Sequence, residues 1–204
     1  MIENLLRYQA AYVAIAFGET DSAIIVVGVE SKAEDGLRRA DESRLGRLDV
    51  VPHFHVIDLQ RFVNAPSYDV LQLAAELSQS PRLDYAEREL IVDCTEYSET
   101  ILDSIWDIDE IVPIPVALTG ERTPRSEGGI EYIPRREIVS TMILALQEGV
   151  IHVSGELELA SAMDASFADL SILVADELNS LTSATAFAVW YARRDHPRER
   201  GWGD

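Results

Sequence analysis

The chain has 204 residues, 47% of them hydrophobic, enough for one domain with a substantial core of its own. Its 36 acidic and 17 basic residues give a formal net charge of -19, which disfavours nucleic acid as a partner. No apolar run approaches the roughly 20 residues of a membrane span, and the amino terminus lacks a signal-peptide pattern. We therefore expect a soluble intracellular protein that does not bind membranes.

Two residue counts add to this description. Cys94 is the only cysteine and lies in an apolar run, so we expect a buried thiol that forms no internal disulfide. Lys32 is the only lysine, and acidity with so little lysine is typical of proteins from salt-rich cells, where the Debye length falls to about 3 Å. A GC-rich bacterial source is the alternative explanation.

The amino-terminal part of the chain predicts three strands and a helix. Apolar runs rich in β-branched residues over 12–17 and 23–29 are separated by a turn of hairpin length, which predicts antiparallel strands. Alternating polarity over 53–59 predicts a third strand. Apolar spacing after Tyr68 predicts a helix that ends before Pro81.

Helices and strands alternate in the rest of the chain. The remaining predicted strands cover 89–93, 112–118 and 150–153. The predicted helices cover 98–106, Pro134 to Gly149, 157–173 with a break near Asp164, and 181–194. An exposed loop or short helix is predicted over 31–48 and a polar loop over 119–129. Three strands followed by this alternation predict an α/β fold with a mixed sheet flanked by helices. We expect a single domain over 1–195 and a disordered tail over 196–204.

Five fragments stand out along the chain, over 55–62, 68–70, 90–95, 112–120 and 133–139. Their order resembles that in the nuclease domain of tailed-phage terminase large subunits. An Ala-x-Ala-x-Trp pattern that ends at Trp190 follows them. The chain thus resembles this family over nearly its whole length, and the resemblance implies an RNase H-like fold.

In the family that this chain resembles, aspartates on the first strand, on the central strand and before the last helix hold two divalent cations that activate water. Asp93 ends an apolar strand and matches the central aspartate, whereas Ala16 falls on the first-strand position. Asn179 and Ser180 fall on the two positions before the last helix. Because hard cations need anionic oxygen ligands, the resemblance implies a degenerate site that lacks a complete set of metal ligands.

The remaining carboxylates leave an alternative open. Displaced carboxylates close to Asp93 could rebuild a metal site with a different geometry, and the candidates are Glu19, Asp21, Glu96 and Glu99. Nearby carboxylates are expected in any chain this acidic, so we favour a structural role for Asp93. In that role its carboxylate accepts hydrogen bonds from the backbone amides of Thr95 and Glu96. Asn179 and Ser180 are likewise predicted to cap the last helix.

Two further groups of side chains qualify as candidate binding residues. The densest basic patch flanks the loop over 119–129 and is the predicted phosphate contact, with members Arg122, Arg125, Arg135 and Arg136. The competing interpretation is that these arginines pair with surface carboxylates. His53 and His55 share one face of a strand and could form part of a zinc site, but no nearby cysteine or third histidine completes it. We therefore favour a half-exposed strand as their explanation.

Two functions are compatible with these observations. The first is a catalytically inactive terminase-nuclease-like domain, an interaction or structural module linked to viral DNA packaging or virion assembly. It would need no cofactor and would bind packaging components, virion components or further copies of itself, in the cytoplasm or the virion. The alternative is an active two-metal DNA endonuclease, a split terminase nuclease subunit that uses Mg²⁺ or Mn²⁺ held by rearranged carboxylates around Asp93.

Overall fold

The computed structural model describes residues 8–33, 50–84, 86–95, 98–105, 108, 111–170 and 179–195. The strands are β1 (Ala10–Phe17), β2 (Asp21–Ala33), β3 (Val50–Val63), β4 (Glu87–Asp93), β5 (Ile114–Thr119), β6 (Arg125–Glu127), β7 (Ile130–Pro134) and β8 (Ile151–Val153). The helices are α1 (Ser67–Ser78), α2 (Ser98–Ile105), α3 (Arg135–Gln147), α4 (Ala160–Leu170) and α5 (Ser180–Asp195). The strands form one sheet in the order β6-β7-β5-β4-β1-β2-β3-β8.

The sheet is mixed, as the sequence predicted. β1, β2 and β3 pair antiparallel in succession, which confirms the three predicted amino-terminal strands. β4 joins β1 in parallel, and β5 and β7 continue the parallel arrangement. Every residue of β1 is buried, because helices cover both faces of this central strand.

Each face of the sheet carries its own apolar cluster. On one face α5 packs over β1 and β2, α3 packs against α5 and β7, and Phe187 and Tyr191 of α5 are completely buried. On the other face α1 packs over β1, β2 and β4, where Val13 and Ile15 belong to the core, and α2 packs against α1. The two-residue period of β1 thus supplies both cores. α5 is buried along Ser180 to Ala192, which makes it the central helix of its layer.

The early strands are longer than predicted. β3 extends over Val50–Val63 because β2, which is one residue shorter, provides backbone partners along almost all of its length. β2 runs through Ala33, so the prediction of a loop or short helix from residue 31 was wrong for its first three residues. Residues 34–49 lie outside the described residues.

Two later predictions also differ from the structure. The segment over 119–129 contains β6, which forms a hairpin with β7 through Gly128 and Gly129, at φ 61° and 82°. This strand escaped prediction because it is short and wholly exposed, without an apolar face. α4 begins at Ala160 and continues through Asp164, so the predicted break is absent. An exposed aspartate does not interrupt backbone hydrogen bonding in a helix.

Several boundaries agree closely with the predictions. α1, β4, β5, α3, β8 and α5 fall within a few residues of the predicted segments. The predicted tail over 196–204 lies outside the described residues, and the single domain stays a prediction. Among the helices that the structure describes, none has both the length and the apolarity needed to span a bilayer.

Candidate functional site

Three elements that carry the predicted ligand positions meet at one edge of the sheet. β1 and β4 run parallel with Ile15 opposite Val92, so the next residues along these strands, Ala16 and Asp93, are neighbours. The hairpin after β1 brings the start of β2 to the same edge, and the first residue of α5 contacts it there. We call this region, formed by Ala16, Asp21, Asp93, Asn179 and Ser180, the carboxyl edge.

Asp93 is buried and its neighbours in the sheet are apolar. Its carboxylate lies on the same face as Ile91 because strand residues alternate, and α5 covers this face. It pairs in register with Val116 on β5, and Ala16 is the residue of β1 that follows the last register pair, Ile15 and Val92; Ala16 and Val116 are both fully buried. The side chain that the resemblance places beside the central aspartate is therefore a methyl group, which offers no ligand atom.

Hydrogen bonds hold the Asp93 carboxylate in the turn after β4. Its Oδ1 accepts from the backbone amide of Thr95 at 2.9 Å and from the Thr95 hydroxyl at 2.5 Å. The same hydroxyl oxygen accepts from the backbone amide of Leu118 at 2.9 Å, which ties the turn to β5. The predicted contact with the Thr95 amide is confirmed, while Glu96 lies outside the described residues.

Asp21 joins three elements of the carboxyl edge. Its Oδ2 accepts from Arg61 Nε of β3 at 2.5 Å and from the Ser180 hydroxyl of α5 at 2.9 Å. Gly18 makes this arrangement possible, because a Cβ at that position would lie 2.9 Å from Asp21 Oδ1. The Arg61 guanidinium neutralises the Asp21 carboxylate, and through these contacts Asp21 connects the hairpin to β3 and α5.

The two residues before the predicted last helix have different roles. Asn179 caps α5, because its Oδ1 accepts from the backbone amide of Thr182 at 2.9 Å, as predicted. Ser180 is the first residue of α5, and the prediction that it caps the helix was wrong. Its hydroxyl donates to Asp21 because that carboxylate is the stronger acceptor within reach.

The residues of the carboxyl edge do not fit a two-metal site. Within the described residues, no group of three or more His, Cys, Asp or Glu side chains could hold a metal ion as it stands. Glu19 is exposed in the hairpin turn, and Glu96 is outside the described residues. Glu99 belongs to α2, but its side chain is not described. The structure thus joins Asp21 to β3 and α5, and joins Asp93 to the turn after β4.

Cys94 follows Asp93 and is buried, as predicted. Burial, together with the smaller effect of the nearby Asp93 carboxylate, raises the pKa of its thiol to about 12. A hydrogen bond with the Val116 backbone acts in the opposite direction but is the smaller effect. The neutral thiol is therefore a packing group and not a nucleophile.

The arginine patch is partly occupied by carboxylates. Arg125 Nε lies 3.1 Å from Glu121, and its Nη1 contacts Glu127, while its guanidinium lies 4.1 Å from the centre of the Tyr132 ring. The Nη2 of Arg136 donates to the backbone oxygen of Arg122 at 2.7 Å. Arg122, Arg125 and Arg136 are exposed and Arg135 is half-buried, so the four do not form one uniform surface. The pairing of Arg125 supports the interpretation that surface carboxylates take up these charges.

The structure corrects the prediction that no third histidine accompanies His53 and His55. β8 pairs with β3 in parallel and places His152 directly opposite His55. Almost a hundred residues separate these histidines along the chain, so local spacing could not reveal their contact. We call His53, His55 and His152 the histidine cluster.

A second polar network, which the sequence did not reveal, lies toward the amino ends of the parallel strands. Tyr12 donates to Asp195 Oδ2 at 3.1 Å, and Tyr191 donates to Glu131 Oε2 at 2.6 Å. Glu89 lies opposite Tyr12, and its Oε2 is buried with no hydrogen-bond partner. Burial raises the pKa of the Glu89 carboxyl, and the charge of Asp195 raises that pKa further. We call this region the amino edge.

Comparison with known proteins supports the fold. No protein-family model and no curated protein matches the sequence. Among solved structures, the nuclease domain of the human cytomegalovirus terminase, soaked with Mn, is similar, with a TM-score of 0.57 and 16% sequence identity. The match covers 97% of this chain and 89% of that domain. Together with the mixed sheet flanked by helices, it shows that this chain has the RNase H-like fold of a terminase nuclease domain.

Proposed function

We propose that this protein is a terminase-nuclease-like domain without two-metal catalysis, which serves as an interaction or structural module in viral DNA packaging or virion assembly. The observation that carries the proposal is the pair formed by Ala16 and Asp93 at the carboxyl edge. A nuclease of this kind needs carboxylates where this chain has a methyl group. The fold is retained while the ligand positions are used for packing, capping and bridging.

The electrostatics of the carboxyl edge support the loss of metal chemistry. Two-metal hydrolysis uses cations about 3.5–4 Å apart, bridged and neutralised by clustered carboxylates. Asp21 is already neutralised by Arg61, and Asp93 is flanked by Ala16 and Val116. A cation at this edge would have to displace existing hydrogen bonds and would find too little negative charge to offset its dehydration.

Protein surfaces are the partners that we propose. With a net charge of -19, the protein repels the phosphate backbone, so contact with packaging components, virion components or another copy is favoured over contact with DNA. The lysine-poor acidic surface suits an environment of high ionic strength, such as a salt-adapted phage host. The working location that follows from this proposal is the cytoplasm or the virion.

Metal-dependent cleavage tests the proposal directly. We expect that the protein does not nick supercoiled plasmid with Mn²⁺ or Mg²⁺ at any salt concentration, while a two-metal nuclease assayed in parallel does. Calorimetric titration with Mn²⁺ should give the same weak binding for the wild type, for Asp93→Asn and for Glu158→Gln, a control that removes one exposed carboxylate. Cleavage that depends on Mn²⁺ and disappears in Asp93→Asn would overturn the proposal.

The alternative function, a split terminase nuclease subunit with rearranged ligands, has one observation in its favour. Asp21 and Asp93 approach the same edge of the sheet, and Ser180 connects Asp21 to the start of the last helix. An active site built on this arrangement would require both carboxylates. It therefore predicts that Asp21→Asn and Asp93→Asn each abolish cleavage, whereas the inactive module predicts no cleavage to abolish.

A further inference from the structure

The histidine cluster lies on β3 and the edge strand β8. His55 and His152 are register partners, and His53 lies two residues before His55 on the same face. Phe54 and Val56 point into the core on the opposite face, so the histidines occupy the outer side of this part of the sheet. His152 is exposed, and His53 and His55 are partly exposed.

Two ring nitrogens of the cluster face each other directly. His53 Nδ1 lies 2.7 Å from His152 Nε2, and the two rings are nearly parallel, with 5.0 Å between centroids and 11° between planes. The ring of His55 lies 4.9 Å from that of His152. In a hydrogen bond between two neutral imidazoles, the N–H of one ring points at the lone pair of the other. Both facing nitrogens could bind a metal once that one proton is removed.

Glu30 and Tyr8 fix the position of the third ring. Glu30 Oε2 lies 3.0 Å from His55 Nε2, the carboxylate contact that commonly orients a metal-binding histidine. Tyr8 packs against His55 with 5.8 Å between ring centroids. It occupies the space left by Gly28, where a Cβ would lie 2.5 Å from the Tyr8 ring. His55 is thus held in place by neighbours on β2 and before β1.

We propose that the histidine cluster binds one divalent transition-metal ion of the imidazole-preferring class, such as Zn²⁺, Ni²⁺ or Cu²⁺. The metal replaces the proton between His53 and His152, and His55 supplies the third nitrogen. Imidazole ligands select these ions over Mg²⁺ and Mn²⁺, which favour oxygen.

Metal binding requires the two facing nitrogens to move apart and both rings to turn toward a common position. Two imidazole nitrogens bound to one metal at about 2.0–2.1 Å are about 2.9–3.3 Å apart, against 2.7 Å between His53 Nδ1 and His152 Nε2. As they stand, no three side chains of the described part of the chain surround a common metal position. The site therefore assembles on binding. His152 can move outward, because it is exposed on an edge strand of only three residues.

The proton balance of this step is simple. The proton between the two rings passes to solvent, and the ring that carried it takes another proton on its outer nitrogen, so both imidazoles remain neutral. The neutral pair then binds the metal with no net proton release. An imidazolium would instead release one proton for each ring that becomes a ligand.

This site is independent of the proposed function. The histidines lie near the start of β3, whereas Arg61, which contacts Asp21, lies near its end. The intervening residues of an extended strand span roughly 20 Å. Loss of the histidine site would leave the carboxyl edge unchanged, and catalysis at the carboxyl edge would not create affinity at the histidines.

Calorimetric titration of the full chain with Zn²⁺ at pH 7.5, after removal of metals with a chelator, tests the proposal. We expect one Zn²⁺ per chain, with affinity at least about 10-fold lower in His53→Gln and His152→Gln. The matched control is His196→Gln, which removes the histidine outside the cluster and should leave the affinity unchanged. Far-UV circular dichroism and Tm establish that each variant is folded.

A second measurement separates the histidines from the many carboxylates. Side-chain ¹H–¹⁵N spectra should show shifts of the His53 and His152 ring nitrogens on addition of Zn²⁺ and no such shifts with Mg²⁺. Binding that is unchanged in His152→Gln would mean that surface carboxylates hold the metal, and would overturn the proposal. Absence of Zn²⁺ binding at millimolar concentration would overturn it as well.

Discussion

The carboxylates at the two edges of the parallel strands have different surroundings. At the carboxyl edge, Asp93 accepts two hydrogen bonds from Thr95, and Asp21 lies against Arg61. At the amino edge, Glu89 buries a carboxylate oxygen without a partner, in a region that also contains the charge of Asp195. Asp21 and Asp93 at the first edge both have donors, whereas Glu89 at the second edge has a buried oxygen without one.

This contrast shows that an acidic composition does not define a site. A carboxylate with matched donors stabilises the fold in its charged form, and one without them favours its neutral form. At the carboxyl edge the donors come from the chain itself, which leaves little need for a cation. Three predictions test this contrast between the edges.

The largest effect is expected at Asp93. Asp93→Ala leaves the amide and hydroxyl of Thr95 without their acceptor, so the free energy of unfolding should fall by about 2–3 kcal/mol. Asp93→Asn keeps an Oδ1 acceptor and should cost about 1 kcal/mol. Urea denaturation with and without Mn²⁺ measures both. If Mn²⁺ raises the free energy of unfolding of the wild type but not that of Asp93→Asn, the carboxylate holds a metal instead.

A smaller effect is expected at the helix cap. Asn179→Ala removes the acceptor for the Thr182 amide, and stability should fall by about 1 kcal/mol. Asn179→Asp should preserve stability, because aspartate is an equally good cap and also interacts favourably with the start of the helix. Thermal unfolding compares the three proteins. Equal Tm values for Asn179→Ala and the wild type would contradict the capping role.

The smallest effect is expected at the amino edge, with the opposite sign. Folding raises the Glu89 pKa above its ordinary value of 4.5. At a pH above the raised pKa, the folded protein therefore carries a charged Glu89 side chain that destabilises it. Glu89→Gln should therefore stabilise the protein at pH 7 by at most about 1 kcal/mol. The gain should shrink as the pH falls through the raised pKa and vanish below about pH 4.

The control for this prediction is Glu87→Gln, which removes an exposed carboxylate from the same strand. It changes the net charge equally without removing a buried oxygen. Tm measured from pH 4 to pH 7 for both variants separates the local effect from the general relief of acidic repulsion. A gain of the same size in Glu87→Gln would remove the distinction between the two edges.

Much of the fold could be predicted from the chain because its patterns are local. The apolar period over 12–17 and 23–29 and the helix spacing after Pro134 indicated elements that the structure contains. The hairpin of β6 and β7 could not be predicted, because β6 has no buried side chain. Its pairing depends on the turn at two glycines and on β7 as a partner.

The candidate site divides in the same way. That Asp93 has an alanine beside it follows from the sequence once the strand order is known, and the capping role of Asn179 was predicted from the sequence. The bond from Ser180 to Asp21 is not, because it joins residues 159 positions apart. A hydroxyl can donate to any acceptor within hydrogen-bond distance, and only the folded chain determines which acceptors lie at that distance.

The sequence by itself determined the α/β class and the buried thiol, because composition and short-range periodicity encode which side chains are buried. Only the tertiary structure decided which charges are paired, as for Asp21 and Arg61, and which histidines meet, as for His53 and His152. Hydrogen bonds and ion pairs act over about 3–4 Å, and the distance between residues far apart in the chain is fixed by strand order and register.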